Sequence, residues 1–499
     1  MPSTTYAEFV EHLKEIAVIG QIGGLLGWDQ ETYMPTKAAE QRSQQVSLIA
    51  GLAHERFTSD RTGQLLEKLE READPDVAVV TNVREIRRSY DREVKLPTAL
   101  VKEIARTRSQ ALDAWQKARA ASDFAQFAPV LDRLLDLKRQ AADLIGWTTE
   151  RYDALMDEFE PGARAADVQA VFDQLKGALV PLVAALKNAP RQPDTTILQR
   201  ECPRAGQEAL NRRVVAAMGF DLEAGRIDVS AHPFCSGTTP FDVRLTTRYD
   251  EHYFPMSLFG TMHEAGHGLY EQGLDPTYLG TPMCSSVSLG IHESQSRLWE
   301  NLVGRSRPFW EHAFPEFQRT FPSMADVPPD AFFFAINTVR PSFIRVEADE
   351  VTYGLHIMLR FEIERQMVAG KLATRDVPEQ WNALFREFLG LTPSKDAEGC
   401  LQDIHWGMGI YGYFPTYQLG NLYASQFFAA AQKALPDLDG QLRKGQLKPL
   451  RDWLRENIHR HGMRYRANEL VQVVTGAPLS PEPYMAYLNG KFKPLYGLK

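Results

Sequence analysis

Apolar residues recur at helical spacing along most of the chain. In "TYAEFVEHLKEIAVI" they form one stripe, made of Tyr6, Phe9, Val10, Leu13 and Ile16. Thr5 and Glu8 have the spacing of a capping box at the start of this first helix. Similar stripes recur in "EQRSQQVSLIAGLAHERF", "FAPVLDRLLDLKRQAADLIG", "VQAVFDQLKGALVPLVAALK" and "LKPLRDWLRENIHRHG". Because residues three and four apart share a helix face, the pattern predicts a mainly α-helical fold.

Strand-like alternation is rare in this chain. The two best segments are 225–230 ("GRIDVS") and 241–249 ("FDVRLTTRY"), and they predict a small β-hairpin or sheet before residue 255. Proline-rich stretches at 188–197 and 321–330 are candidate linkers or loops, but neither is long enough to separate independent domains. We therefore expect a single domain over residues 1–499. This domain could consist of two helical lobes flanking a cleft.

The composition favours a water-soluble protein that binds neither nucleic acid nor a membrane. Hydrophobic residues make up 44% of the chain and charged residues 24%. The 56 basic and 64 acidic residues give a net charge of −8, with no basic block that could follow a phosphate backbone. The pattern shows no apolar run near the roughly 20 residues that span a bilayer. The apolar segment 16–28 follows a charged stretch, unlike a signal peptide.

The cysteines point to a reducing compartment. The chain has four, and none has C-x-x-C spacing; they are Cys202, Cys235, Cys284 and Cys400. A disulfide framework and a cysteine-bound zinc are therefore not expected. We predict a cytoplasmic protein.

The stretch "TMHEAGHGLYEQG" (261–273) carries the strongest chemical signal. On a helix, His263 and His267 lie one turn apart on one face, so both imidazoles can bind one cation. Glu264 is rotated by about 100°, beside the open coordination position, where it can take a proton from water. Gly266 disfavours a helix by up to about 1 kcal/mol but allows close approach of a backbone or a substrate. The alternative is a chance spacing of two unrelated histidines.

A third metal ligand is expected from the stretch "SLGIHESQSRLWENLV" (288–303). Glu293 falls near a predicted helix start, and Arg297 one turn later can hold its carboxylate. His292 and Glu300 are the competing ligands. Glu293 and Arg297 could also be only an exposed i,i+4 pair.

Several motifs occur in an order that resembles a known family. They are "LLGWDQETYMP" (25–35), "HPF" (232–234), "DVRLT" (242–246), "HEAGH" (263–267), "HESQSR" (292–297), "IRVEAD" (344–349) and "GCLQDIHW" (399–406). Together they resemble the carboxypeptidase Taq family of zinc metallocarboxypeptidases over most of the chain.

The resemblance implies a fold, a metal and a substrate. The fold would be mainly helical and bundle-like, with a deep active-site cleft and a small β-sheet, similar to angiotensin-converting enzyme and neurolysin. Zn²⁺ would be bound by His263, His267 and Glu293, with Glu264 as the general base, and Co²⁺ would be able to substitute. The protein would form homodimers and act on peptides that have a free C-terminal carboxylate.

Donors for the oxyanion should come from outside the motif helix, and "DIHWGMGIYGYFPTYQLGNLY" (403–423) is a suitable source. His405 and Tyr413 are the candidate catalytic residues there. The "YF" at Tyr413 resembles the position of the transition-state tyrosine of angiotensin-converting enzyme. Tyr417 and Tyr411 are alternatives, and these aromatic rings could also simply pack the core.

Recognition of a C-terminal carboxylate is best done by a buried arginine, because its planar fork binds two oxygens. Arg345 and Arg244 are the candidates. Each could instead form a structural ion pair, Arg345 with Asp349 and Arg244 with Asp242.

Three more residues complete the predicted site. His232 and Tyr417 are candidate substrate contacts, although a structural role for His232 is an equal alternative. Asp403 is predicted to orient His405 or the metal ligands.

Two other functions stay open at this point. The same metal ligands would serve an oligoendopeptidase or a dipeptidase, and an inactive peptide-binding protein could retain the fold. Glu264 argues against the inactive protein, because binding alone does not need a general base. Free-acid and C-amidated peptides would separate the peptidases, since an endopeptidase should cut both.

Overall fold

The computed structural model describes residues 3–499, which form twenty α-helices and three short strands. The helices before the sheet are α1 (Thr4–Thr32), α2 (Ala39–Phe57), α3 (Asp60–Glu72), α4 (Val77–Val94), α5 (Thr98–Ala121), α6 (Ala128–Ile145), α7 (Arg151–Met156), α8 (Ala165–Lys187) and α9 (Arg204–Met218). The strands are β1 (Gly225–Val229), β2 (Cys235–Thr239) and β3 (Asp242–Thr247). The mainly helical fold class is confirmed.

The remaining helices come after the sheet. They are α10 (Pro255–Glu271), α11 (Leu289–Arg297), α12 (Arg307–Thr320), α13 (Pro329–Ile336), α14 (Tyr353–Val368), α15 (Val377–Leu389), α16 (Phe414–Ala434), α17 (Leu438–Arg443), α18 (Lys448–Asn457), α19 (Ala467–Thr475) and α20 (Glu482–Leu495). A π-helical segment, Leu298–Val303, continues directly from α11.

The first helix is buried mainly through its N-terminal half, and Trp28 is the buried residue of its C-terminal half. Tyr6, Phe9 and Leu13 are buried in a small cluster with leucines of α3 and Val79 of α4. The predicted capping box of Thr5 and Glu8 is wrong, because Ser3 is the N-cap and its hydroxyl accepts the Tyr6 N–H. The C-terminal half of α1 and the whole of α2 form a hairpin with several exposed apolar side chains, namely Val18, Ile22, Leu25, Leu48 and Leu52.

The predicted sheet is present before residue 255 and has the order β1–β3–β2. β3 pairs in parallel with β1 and antiparallel with β2. Sequence patterning missed β2, because "CSGTT" has no alternating apolar residues. Val243 and Leu245 of β3 are buried. A Cβ on Gly268 of α10 would lie 2.9 Å from the Leu245 side chain, so the missing side chain allows the sheet to fix the position of α10.

Three helices meet at the centre of the molecule. α11 lies between α10 and α16, and glycines make both contacts close. A Cβ on Gly266 of α10 would lie 2.5 Å from the Gln295 carbonyl oxygen, and one on Gly420 of α16 would lie 2.6 Å from Glu293 Cγ. The prediction that Gly266 admits a neighbouring backbone therefore holds, and the neighbour is α11.

One described helix, α8, is long and apolar enough to cross a membrane by length and composition, with a mean hydropathy of 1.2. Charged residues interrupt its apolar run, so the sequence pattern does not mark it as a membrane span. Its apolar side chains at helical spacing are buried in the main core, and they include Val168, Phe172, Leu175, Leu179, Leu182 and Leu186. The high mean hydropathy of α8 is therefore explained by the packing of its apolar face in the protein core.

Candidate metal centre

The structure brings His263, His267 and Glu293 together in one cluster. Their ligand atoms all lie within 4.8 Å of one another. Glu293 Oε2 is 3.6 Å from His263 Nε2 and 3.4 Å from His267 Nε2. Ligands about 2.0–2.1 Å from a tetrahedral cation are separated by roughly 3.3 Å, so these distances fit one bound metal ion. Two imidazoles and one carboxylate are also a donor set found in catalytic zinc sites.

Glu264 lies beside the first ligand on the same helix and is only 7% exposed. Burial raises its pKa to about 7, the neighbouring His263 opposes this rise, and Glu293 and Glu300 add to it. A carboxylate with this basicity next to a metal site is suited to accept a proton at neutral pH.

Glu300 supports His263 and is not among the clustered ligands. Its Oε2 is 2.9 Å from His263 Nδ1, while Arg297 and Arg305 lie 3.4 and 3.7 Å from its oxygens. Burial alone would raise the pKa of Glu300, but the His263 hydrogen bond and the charge of Arg297 lower it to about 2. The ionised carboxylate therefore accepts from Nδ1–H and leaves Nε2 free to face a metal.

His292 supports His267 in a similar way, through a further histidine contact. His292 Nδ1 lies 2.5 Å from His267 Nδ1, and His292 Nε2 lies 2.8 Å from Glu271 Oε1. With His267 Nε2 directed at Glu293, we assign Nδ1–H of His267 as the donor to His292, which donates in turn to Glu271. His292, the competing ligand considered from the sequence, is thus placed behind the metal site.

Glu293 is buried and held on both oxygens. Arg297 Nε donates to Oε1 at 2.7 Å, and the Ser296 hydroxyl donates to Oε2 at 3.1 Å. Burial would raise the pKa of Glu293, yet the charges of Arg297 and His263 keep it well below its usual range. The guanidinium of Arg297 also stacks on the Tyr353 ring at 4.2 Å. The pair is therefore not the exposed i,i+4 pair of the alternative interpretation.

His405, Tyr413 and Tyr417 form an aromatic group near Glu293. His405 Nε2 is 3.3 Å from the Tyr417 hydroxyl, and the Tyr413 and Tyr417 rings are 5.2 Å apart. Burial lowers the pKa of His405 to about 3, so its imidazole is neutral. Burial raises the pKa of both tyrosines, and the Glu293 carboxylate adds to the rise. Tyr411 is buried elsewhere, with Glu364, Arg139 and Asp132 as its charged neighbours.

Arg345 is 6% exposed and adjoins this aromatic group. Its Nε and Nη2 donate to Asp403 Oδ1 at 2.9 and 2.8 Å, and its guanidinium lies 5.0 Å from the Tyr417 ring centre. The ion-pair partner is therefore Asp403 and not Asp349, whose carboxylate accepts backbone N–H groups. Asp403 also binds Arg360 at 2.6 Å, whereas its distance to His405 Nδ1 is 4.0 Å.

Arg244 and His232 lie on the sheet side of the molecule. Arg244 donates to both oxygens of Asp242 at 2.8 and 3.0 Å, the ion pair considered from the sequence. Its guanidinium also covers the Trp28 ring at 4.3 Å, which ties the N-terminal motif to β3. His232 is exposed, and its carbonyl accepts from the Ser230 hydroxyl.

Two contributors to the site were not found from the sequence. Glu271 lies four residues after His267, so the same i,i+4 spacing that relates His263 to His267 could have revealed it. Tyr353 stacks on Arg297 and accepts from Arg345 Nη1 at 3.2 Å. A tyrosine at the first position of a helix carries no local signal for that double role.

The fold and the metal cluster define a helical protein with a metallopeptidase type of centre. A family model described as carboxypeptidase Taq (M32) metallopeptidase matches residues 8–492. The chain belongs to this family, whose members are metallocarboxypeptidases and hydrolyse peptides.

Two relatives and one solved structure match this chain over nearly its full length. Thermostable carboxypeptidase 1 of Thermus thermophilus is 44% identical over 99% of this chain and 100% of its own length. Carboxypeptidase 1 of Bacillus subtilis is 38% identical, with 98% of each chain covered. The crystal structure of the M32 carboxypeptidase from Deinococcus radiodurans R1 is 43% identical with a TM-score of 0.97, covering 99% of this chain and 100% of that one.

Proposed function

We propose that this chain is a zinc-dependent metallocarboxypeptidase that releases C-terminal amino acids from peptides. The observation that carries the proposal is the meeting of His263, His267 and Glu293 within 4.8 Å, with Glu264 next to the first ligand. Family membership supports a peptide substrate.

Zinc is the metal we propose for the site. Two imidazoles and a carboxylate suit Zn²⁺ and leave a coordination position open, and Co²⁺ is expected to be able to substitute. A cation bound there supplies Lewis-acid activation of the attacking water and of the scissile carbonyl.

Glu264 is the proposed general base. Its carboxylate takes the proton of the attacking water and then delivers it to the nitrogen of the leaving amine. Glu300, His292 and Glu271 hold the two histidine rings in the tautomer that directs Nε2 to the cation. Arg297 keeps Glu293 ionised.

Tyr413 is the proposed donor to the developing oxyanion, with Tyr417 as the alternative. Both hydroxyls stay protonated at neutral pH, because burial and the Glu293 charge raise their pKa. The neutral His405 binds the Tyr417 hydroxyl and belongs to the same donor group. A donor aimed at the oxyanion is worth roughly 10²–10³ in kcat. Separate Tyr413→Phe and Tyr417→Phe variants would show which hydroxyl carries this effect.

Arg345 is the proposed contact for the C-terminal carboxylate of the peptide. Asp403 and Tyr353 hold its guanidinium beside Tyr417, and these fixed bonds would pre-orient it for a carboxylate. Arg244 and His232, on the sheet side, are proposed as further contacts to the peptide.

We further propose a cytoplasmic homodimer that does not bind nucleic acid or a membrane. The cysteines support a reducing compartment, because all four are free thiols. Sedimentation equilibrium at micromolar concentration would test the dimer.

Product analysis tests the proposed function. N-blocked peptides of graded length, as free acids and as C-terminal amides, are incubated with the zinc-loaded protein. We expect single amino acids released from the C-terminus of the free acids, no cleavage of the amides, and no cleavage after a chelator. Internal cleavage of both sets would instead assign an endopeptidase, and no cleavage by metal-loaded protein would refute the proposal.

A further inference from the structure

Two buried glutamates outside the metal cluster, Glu160 and Glu364, bind only neutral donors. Glu160 is 1% exposed, and it accepts from the Gly290 N–H and the Tyr423 hydroxyl, each at 3.0 Å. Glu364 is fully buried, and it accepts from a tyrosine hydroxyl, an indole N–H and a backbone N–H. Burial raises the pKa of both carboxyls to about 7. Buried carboxylates without a cation are costly, so a specific role is expected for each.

Glu160 lies at the start of the helix that carries Glu293. The first N–H groups of α11 have no partner within the helix. Here Leu289 N–H donates to the Phe159 carbonyl at 3.0 Å, and Gly290 N–H donates to Glu160 Oε2. A Cβ on Gly290 would lie 2.6 Å from Glu160 Oε2, so the contact is closely fitted. Residues 159–160 therefore set the position of this helix terminus, one turn before Glu293.

Glu364 joins both sides of the loop that carries His405 and Tyr413. Its Oε1 accepts from the indole N–H of Trp406 at 3.0 Å, and its Oε2 accepts from Gly412 N–H at 3.1 Å. Trp406 comes directly after His405, and Gly412 directly precedes Tyr413. One carboxylate thus holds the immediate neighbours of both candidate catalytic residues.

The segment 152–160, which we call the bridge segment, contacts both places. The Tyr152 hydroxyl donates to Glu364 at 2.7 Å, and the Phe159 ring packs edge-on against Tyr413 at 5.2 Å. Gly412 has a φ of +91°, and a Cβ there would lie 2.6 Å from Met156 Cα. The bridge segment is therefore in direct contact with the α11 terminus and with the loop of Tyr413.

We propose that Glu160 and Glu364 are positioning residues of the active site, which act through the bridge segment to set the spacing between the metal ligand Glu293 and the donors His405 and Tyr413. Glu160 acts on metal binding, and Glu364 acts on the catalytic step. This assignment rests on the proposed function. Neither glutamate contacts the ligand cluster directly.

Replacement of glutamate by glutamine should disrupt the hydrogen bonds at position 364 but preserve them at position 160, because the donors at the two sites differ. In Glu364→Gln the amide NH₂ must face either the indole N–H or the Gly412 N–H, and neither group can accept a hydrogen bond. In Glu160→Gln the NH₂ can face the Tyr423 hydroxyl, which can accept, while the amide oxygen still binds Gly290. Glu160→Met has a similar length and removes both acceptors.

The experiment measures kcat, KM and zinc affinity by chelator competition on the full-length protein. Glu364→Gln should lower kcat about tenfold or more with unchanged zinc affinity, and Glu160→Met should weaken zinc binding about tenfold or more. Glu160→Gln should restore zinc affinity to within about threefold of wild type. Should Glu160→Met not fold, Gly290→Ala displaces the same carboxylate. Glu85→Gln is the matched control, a buried glutamate of α4 paired with arginines, and should change neither quantity.

A double-mutant cycle separates positioning from a general loss of stability. If Glu364 acts through Tyr413, Glu364→Gln should cost much less kcat in a Tyr413→Phe background than in wild type. Additive losses, or wild-type zinc affinity in both Glu160→Met and Gly290→Ala, would overturn the proposal while wild type stays active. A wild-type protein without zinc binding or peptide hydrolysis would refute the proposed function instead.

Discussion

The glycines of the N-terminal hairpin and those at the centre of the molecule differ in how closely neighbouring residues pack against them. In the middle of α1, Gly20, Gly24 and Gly27 have no neighbour within 4 Å of an added Cβ. At the centre, an added Cβ would collide with α11 from both sides, at Gly266 and at Gly420. The glycines of the centre permit close helix contacts, whereas these three of α1 only weaken a helix. Gly23 differs from them, because an added Cβ there would lie 3.3 Å from the Ile49 side chain of α2. A glycine therefore has to be interpreted from its neighbours and not from its presence in a helix.

The largest expected difference between the two regions is in catalysis, because only the centre of the molecule should contain a side chain whose loss stops peptide hydrolysis. Glu264→Gln should reduce kcat by about 10²–10⁴ through loss of the general base, with zinc still bound. Peptide hydrolysis with metal analysis of the same sample measures both quantities. Turnover near the wild-type level would remove Glu264 from the mechanism.

A buried ion pair should give the next largest effect. The charges of Arg345 and Arg360 overcome the effect of burial and hold the pKa of Asp403 well below its usual range. The ionised carboxylate is therefore stabilising above its unfolded-state pKa of about 3.9, and this contribution is lost as the pH falls toward the folded-state value. Asp403→Asn should cost about 3–5 kcal/mol at pH 7.

Denaturant unfolding at several pH values checks this prediction. The difference between wild type and Asp403→Asn should shrink as the pH is lowered below about 4. A difference that is constant across this range would mean that the charge of Asp403 does not contribute to stability.

Packing at the centre should tolerate no added methyl group. Gly420→Ala should destabilise the protein by about 1–3 kcal/mol, because the new Cβ would push on the Glu293 side chain. It should also weaken zinc binding, since that side chain is a metal ligand. Thermal unfolding with and without zinc would measure both, and an unchanged zinc-induced shift would show that Glu293 can adapt.

The smallest expected effect has the opposite sign. An added Cβ on Gly24 would lie in open space on an exposed part of α1. The Gly24→Ala substitution should therefore stabilise the protein by about 0.5–1 kcal/mol. Activity should stay at the wild-type level. A lower kcat in the more stable variant would instead show that bending of α1 takes part in turnover.

Features that depend on short-range spacing could be predicted from the sequence. The helical stripes, the strands at 225–230 and 241–249, and the cluster of His263, His267 and Glu293 all rest on residues close in sequence or on recognisable motifs. The sequence favoured Glu293 only modestly over the adjacent His292, and the packing of α11 against α10 separates the two roles. Pairing of Arg345 with Asp403 joins segments 58 residues apart, and no local pattern indicates it.

The hydrophobic pattern of the sequence also failed to predict the exposure of α2, the strand β2 and the burial of two glutamates. α2 has the stripe of an amphipathic helix, yet none of its residues is buried. β2 has no stripe, yet it forms a strand because β3 offers an edge for pairing. Glu160 and Glu364 look like surface residues in the sequence, and only the tertiary structure supplies their donors.

The bond between Tyr33 and Asp228 has a consequence for synthesis on the ribosome. Its two ends are 195 residues apart, and the adjoining Trp28 packs under Arg244 of β3. At about 5–20 residues per second, the distal part of α1 would wait roughly 10–40 s for its docking site to emerge. During that delay Trp28, which is only 7% exposed in the folded protein, has no partner to cover it, so the nascent hairpin is open to chaperones until β3 has been made.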